Sequence, residues 1–133
     1  MRFNLACIID TNVAIHLRDG DAGVAKRLEE LGDGVLMSIV TRVELEGGVY
    51  RVPELSAIRR ARLDVIIAAI PALAFDDLAA GFYASILPEA GYSRRKILDR
   101  MIAAQALAHR AALITMNAED FSDIPGLDLL DWS

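Results

Sequence analysis

Three carboxylates, Asp10, Glu44 and Asp99, sit where a charged group needs a reason to be. Asp10 ends the apolar run Leu5–Ile9 and opens the triplet Asp10–Thr11–Asn12. Glu44 follows the apolar run Val35–Ile39 by a few residues, and Asp99 opens a long, mostly apolar stretch. Asn117 and Asp120 come just after a further apolar run, Ala112–Thr115. Each has an ordinary explanation when taken singly. Asp10 or Asn12 can cap a helix, Thr41 and Glu44 have capping-box spacing, and Asp99 in a first turn suits the helix dipole. Only their joint placement says more, and that depends on the elements that carry them.

Short β-branched runs alternate with segments of helical length. Leu5–Ile9, Val35–Ile39, Ala72–Phe75, Ala112–Thr115 and Leu127–Leu130 read as strands. Val13–Leu17, Gly23–Leu31, Val40–Tyr50, Glu54–Ile70, Asp76–Leu87 and Ile97–Arg110 read as helices, with Pro53 at a helix start and Pro71 past a helix end. This alternation predicts an α/β domain with a mainly parallel sheet of four to five strands and helices on both faces. In such a sheet the C-terminal strand ends and the N-terminal ends of the following helices share one edge, where ligands bind. Asp10, Glu44 and Asn117 fall on that edge. Asp99 joins them if the loop Pro88–Lys96 climbs back to it, which about 3.3 Å per residue allows.

Carboxylates gathered without a cation repel one another and raise each other's pKa, and a hard divalent metal removes that penalty. Oxygen ligands with no thiolate or paired imidazole favour Mg2+ or Mn2+. Such an ion polarises a phosphoryl oxygen and supplies hydroxide at neutral pH, the chemistry of phosphodiester hydrolysis. Arg94, Arg95 and Lys96, immediately before Asp99, are placed to hold nucleic-acid phosphates, although a solvated loop is the commoner meaning of such a run. His16 and His109 lack partners at a motif spacing, Cys7 reads as a small buried hydrophobe, and Asp76 reads as a helix cap.

The whole chain sets limits on these readings. Its 133 residues make one domain, 1–133, and 54% hydrophobic with 25% charged residues is a globular composition. The apolar runs are too short to span a membrane, and no secretion leader opens the chain. One cysteine and no leader make a reducing cytoplasm the expected compartment. A net charge of −5 argues against coating nucleic acid by bulk charge, but not against a local basic patch.

At these residues the sequence resembles PIN-domain proteins, and within them the VapC toxins of toxin–antitoxin pairs. IIDTN at 8–12 matches the opening aspartate motif, and SIVTRVELEGGVYR at 38–51 matches the second block, with Glu44 as its acidic residue. DRMIAAQALAHRAALITMNAEDF at 99–121 matches the third, with Asp99 as its aspartate and Thr115 as its supporting hydroxyl, and IPGLDLLDW at 124–132 closes in the family's manner. The resemblance implies an Mg2+- or Mn2+-dependent ribonuclease with Asp10, Glu44 and Asp99 as ligands, supported by Thr11, Asn12 and Thr115. It also implies a homodimer and a cognate antitoxin whose tail covers the site. Asn117 stands where many members carry aspartate, so it offers a carbonyl ligand without charge. Asp120, three residues on, is a candidate to help through a water.

The competing reading keeps the fold without the reaction: an impaired PIN-like module that binds RNA or a protein partner. A receiver domain would need an acidic pair after the first strand and a lysine after a late one, and no lysine follows Lys96. A haloacid-dehalogenase phosphatase would need aspartate where Asn12 stands. The dimer has an argument of its own in Leu63–Ile70, apolar at every position but Asp64, which predicts a large apolar outer face.

Overall fold

The computed structural model describes residues 6–133. Five strands form one fully parallel sheet in the order β3-β2-β1-β4-β5. They are β1 (Cys7–Ile9), β2 (Val35–Ser38), β3 (Ala72–Leu73), β4 (Ala112–Thr115) and β5 (Leu129–Asp131). Leu5 of the expected first strand lies outside the described residues. β1 is central and pairs with β2 on one side and β4 on the other, with Ile9 opposite both Met37 and Ile114.

Strand alternation divides the interior into two cores. Ile9, Met37 and Ile114 face α1 (Thr11–Arg18), α2 (Ala22–Leu31), α3 (Ile39–Arg51) and α4 (Ser56–Ala69), meeting Val13, Leu28, Leu45 and Leu63. Ile8 and Leu113 point the other way, into Ile86 of α5 (Asp77–Ala90) and Ile102 of α6 (Ile97–Ala108). β1 and β4 are buried on both faces, which explains their continuous apolar runs.

Several boundaries depart from expectation for identifiable reasons. Ser38 ends β2 and its Oγ accepts the Val40 N–H at 3.0 Å, so Ile39 begins α3 instead of ending the strand. That cap also displaces the Thr41–Glu44 capping box, since both residues now lie inside the helix. β3 stops at Leu73 rather than Phe75. The carbonyls of Leu73 and Ala74 accept from Gln105 Nε2 at 3.0 and 3.1 Å, so a side chain takes over backbone pairing there. Pro53–Leu55 forms a separate 3-10 turn before α4, and Pro88 lies in the last turn of α5 instead of opening the loop. β5 begins two residues late, after the turn at Gly126, whose φ is +77°. Cys7 is half-buried, and Asp76 caps α5 through the Ala79 N–H at 2.9 Å.

α4 is amphipathic after all. Leu63, Ile66 and Ile70 are buried, and Val65, 69% exposed, is the large apolar side chain left fully outward on the Leu63–Ile70 stretch. The other outward positions there are Asp64, Ala68 and Ala69, so the apolar outer face is present but smaller than the pattern predicts. Among the described residues, no helix is long and apolar enough to cross a membrane.

Candidate active site

The sheet changes winding direction at β1: the chain moves to β2 on one side and returns to β4 on the other. The carboxyl ends of β1 and β4 therefore border a crevice that the backbone itself leaves open. Asp10 follows β1 directly and is 4% exposed. Its Oδ1 accepts the Val13 N–H at 2.9 Å, so the capping role is real. Its Oδ2 accepts the Thr115 hydroxyl proton from the end of β4 at 2.6 Å. Thr115 Oγ1 accepts the Asn117 N–H at 2.9 Å in turn, leaving the threonine hydrogen to point at Asp10. One carboxylate thus joins the two strands across the crevice.

Glu44 arrives from the second turn of α3. Thr11 Oγ1 donates to its Oε1 at 2.9 Å and lies 3.0 Å from Thr41 Oγ1. Thr41, fully buried, was missed as a site residue. The available signal was its position one helical turn before Glu44, which puts both on one face. Asp99, in the first turn of α6, completes the rim of a pocket of about 230 Å3 lined also by Asn12, Ile15, Arg95 and Leu98.

The electrostatics agree with this convergence. Burial raises the pKa of Asp10, outweighing its hydrogen bonds from Thr115 and from the Val13 and Asn12 amides, and the charge of Asp120 adds to the rise. Burial also raises Asp99, followed by repulsion from Asp120, Asp10 and Glu44, with Lys96 working the other way. Four carboxylates therefore share one field, and Asp120 acts more strongly on it than its sequence position suggests. Among the described residues, no three carboxylate, imidazole or thiol groups already converge closely enough to chelate one ion. The carboxylates surround a space instead of closing a cage.

The remaining candidates divide. Arg95 lines the pocket, while Arg94 is exposed beside it. Lys96 is drawn toward Asp123 at 3.6 Å. Asn117 is exposed, makes no side-chain cap and does not line the pocket. His16 pairs with Asp21 at 3.3 Å, His109 is the C-cap of α6, and neither borders the site. Arg100, also unforeseen, is buried next to Asp99. It donates to the carbonyls of Gly91 and Ala90 and to Asp123 at 3.1 Å, tying the 91–96 loop to the segment after β4.

Comparison with known proteins bears on this geometry. The family model described as PIN domain matches residues 7–127. A tRNA(fMet)-specific endonuclease VapC of Shigella flexneri is 28% identical over 134 residues, covering 97% of this chain and 99% of its own. A solved member of the VapBC family of toxin–antitoxin systems from Mycobacterium tuberculosis is 31% identical, with a TM-score of 0.71 over 96% of this chain and 98% of that one. A VapBC structure from nontypeable Haemophilus influenzae is 27% identical, with a TM-score of 0.78 over 96% and 98%.

Proposed function

The chain belongs to the PIN-domain family, and from that premise we propose that it is a VapC-type endoribonuclease, the toxin of a toxin–antitoxin pair. The observation that carries the proposal is the convergence of Asp10, Glu44 and Asp99 on one pocket at the winding reversal of the sheet. The relatives support the substrate and the partner: one is named for cleaving tRNA(fMet), and another belongs to a toxin–antitoxin system.

The site fits a divalent cation. Its donors are all oxygen, buried Asp10 and half-buried Asp99 are raised in pKa by burial and by neighbouring carboxylates, and a dication relieves both. An all-oxygen donor set suits an ion that keeps several waters and asks few protein ligands, as Mg2+ does, with Mn2+ as its closest substitute. When bound, the cation supplies Lewis-acid polarisation of the phosphoryl oxygen and a water acidic enough to attack.

The chain's own residues do the positioning. Thr115 and the Val13 amide fix both oxygens of Asp10, and Thr11, steadied by Thr41, fixes Glu44. Asp99 closes the third side, and Asp120 adds negative field from outside the lining. Arg95 offers its guanidinium to the phosphate of the strand being cut. Among the described residues no imidazole borders the pocket, and this reading gives no histidine the role of general base. Asn117 stands outside the ligand set in this reading.

The partner is an antitoxin protein that covers the site, and the working compartment is the cytoplasm. The active form is a homodimer, supported by Val43 and Tyr50 on α3 and Val65 on α4, each at least 65% exposed. Light scattering should then give twice 14.5 kDa at micromolar concentration. The deciding experiment incubates the chain with transfer RNA in Mg2+, in Mn2+ and in chelator. Cleavage should require the metal and vanish in Asp10→Asn. Binding without cleavage in every metal would leave the impaired module instead.

A further inference from the structure

A second concavity, of about 530 Å3, adjoins the acidic pocket, and the two share Ile15 and Glu44. Arg18, Arg51 and Arg59 line it over the bare backbone of Gly47 and Gly48 in α3. The glycines matter to its shape. A Cβ at Gly48 would run into the Arg18 guanidinium, while one at Gly47 would meet nothing within 4 Å. Arg59 is anchored to the same backbone, donating to the Gly48 carbonyl at 2.8 Å.

The charges in this groove do not cancel. Three guanidinia face two carboxylates: Glu44, at the rim shared with the acidic pocket, and Asp19, which serves two of the arginines, lying 3.1 Å from Arg18 Nη2 and 3.8 Å from Arg59 Nε. Arg51 is exposed in the last turn of α3 and has no ion-pair partner among the described residues. Its position suits the helix dipole, which explains a positive charge there but not two further guanidinia facing the same hollow. A surplus of guanidinium is the chemistry that binds phosphodiesters, because the planar fork matches two phosphate oxygens.

We propose that this groove binds the backbone of single-stranded RNA beside the bond cut in the acidic pocket. The inference rests on the nuclease reading and extends it. A strand crossing a cluster of carboxylates is repelled along its whole length unless cations grip it on both sides. Arg95 stands on one wall of the pocket, and the arginine groove opens past Glu44. Arg51 is the phosphate contact of this subsite, with Arg18 and Arg59 held in place behind it.

The test measures anisotropy of a short labelled RNA of mixed sequence, titrated with full-length Asp99→Asn protein over a salt series. Adding Arg51→Ala should weaken binding about fivefold to tenfold and lower the salt slope by about 0.7. Arg51→Lys should restore the slope but only part of the affinity. Lys26→Ala, an exposed lysine on α2 away from both hollows, should change affinity less than twofold. Arg51→Ala behaving like Lys26→Ala would overturn the groove while leaving metal-dependent cleavage by the unmutated chain intact. Weakened binding of a labelled oligoglutamate, with RNA binding unchanged, would overturn it in favour of an acidic protein segment. No RNA binding or cleavage by the unmutated chain would remove the nuclease reading and the groove together.

Discussion

The acidic pocket and the corner where α3 packs on α4 draw on the same residue types and handle charge in opposite ways. In the corner, Arg60 Nη1 donates to Glu46 at 2.6 Å and Arg60 Nη2 to Asp64 at 2.8 Å, while Arg42 reaches Glu46 at 3.5 Å. The hydrogen bond from Arg60 is the main reason the Glu46 carboxyl sits below its ordinary range, and Glu46 in turn holds the Arg60 guanidinium above its own. In the pocket, Asp10 and Asp99 shift upward instead, because burial and neighbouring carboxylates oppose their charge. The fold pairs its carboxylates in one place and leaves several without a cation in another, and the proposed function assigns that second set to a cation from outside.

The largest effects should come from the pocket. Asp10→Asn or Asp99→Asn removes one charge with little change in volume, and cleavage should fall at least about 100-fold, or about 2.7 kcal/mol of transition-state stabilisation. Metal-free Asp99→Asn should melt no lower than the parent, since the charge it loses is an unfavourable one. Glu46→Gln should do the reverse, lowering the melting temperature slightly while cleavage stays within about twofold, because exposed ion pairs contribute little. Unchanged cleavage in Asp99→Asn, measured with free metal controlled, would erase the distinction between the two regions.

Arg100→Met should produce the next largest change. It removes a buried cation with three acceptors, so a stability loss of about 2–4 kcal/mol is expected in denaturant melts. Cleavage should fall as well, because the loop bearing Arg95 loses its tie to the segment after β4.

The two regions should also answer pH with opposite signs. Asp10 and Asp99 have folded pKa values above the ordinary 3.8, so their protonated forms favour the folded state. Their contribution is full below 3.8 and is lost as pH rises through the raised values. Glu46 lies below its ordinary 4.5, so its contribution is present above 4.5 and is lost as pH falls through the lowered value. Melting temperatures in chelator should show both limbs. Asp99→Asn should flatten the first, Glu46→Gln the second, and added Mg2+ should reverse the loss at higher pH.

The smallest effect belongs to Asn117. It is exposed and outside the pocket lining, so Asn117→Ala should keep cleavage within a few-fold of the parent. Asn117→Asp should tighten divalent binding slightly by adding negative field. Complete loss of cleavage in a folded Asn117→Ala protein would make its side chain a direct ligand.

What the sequence by itself determined is what a few neighbouring residues can encode. The apolar run Ala112–Thr115 becomes β4 without change, Asp76 caps a helix because its short side-chain oxygen reaches a first free amide, and Asp10 lands on the ligand-binding edge because it ends a strand in a parallel alternation. The convergence of Asp10, Glu44 and Asp99 on one edge was legible for the same reason, as charges placed at a strand end or in the opening turns of helices. Tertiary structure decided how those charges are held and balanced. Thr115 meets Asp10 from 105 positions away, Thr11 meets Glu44 from 33, and Arg100 is buried by a loop whose carbonyls nothing local could predict. Whether an arginine neutralises a carboxylate, as Arg60 does, or faces a hollow, as Arg51 does, depends on which helix packs beside it. Hydrogen bonds and ion pairs act over a few ångströms, and only the packed chain brings residues so distant in sequence within that range.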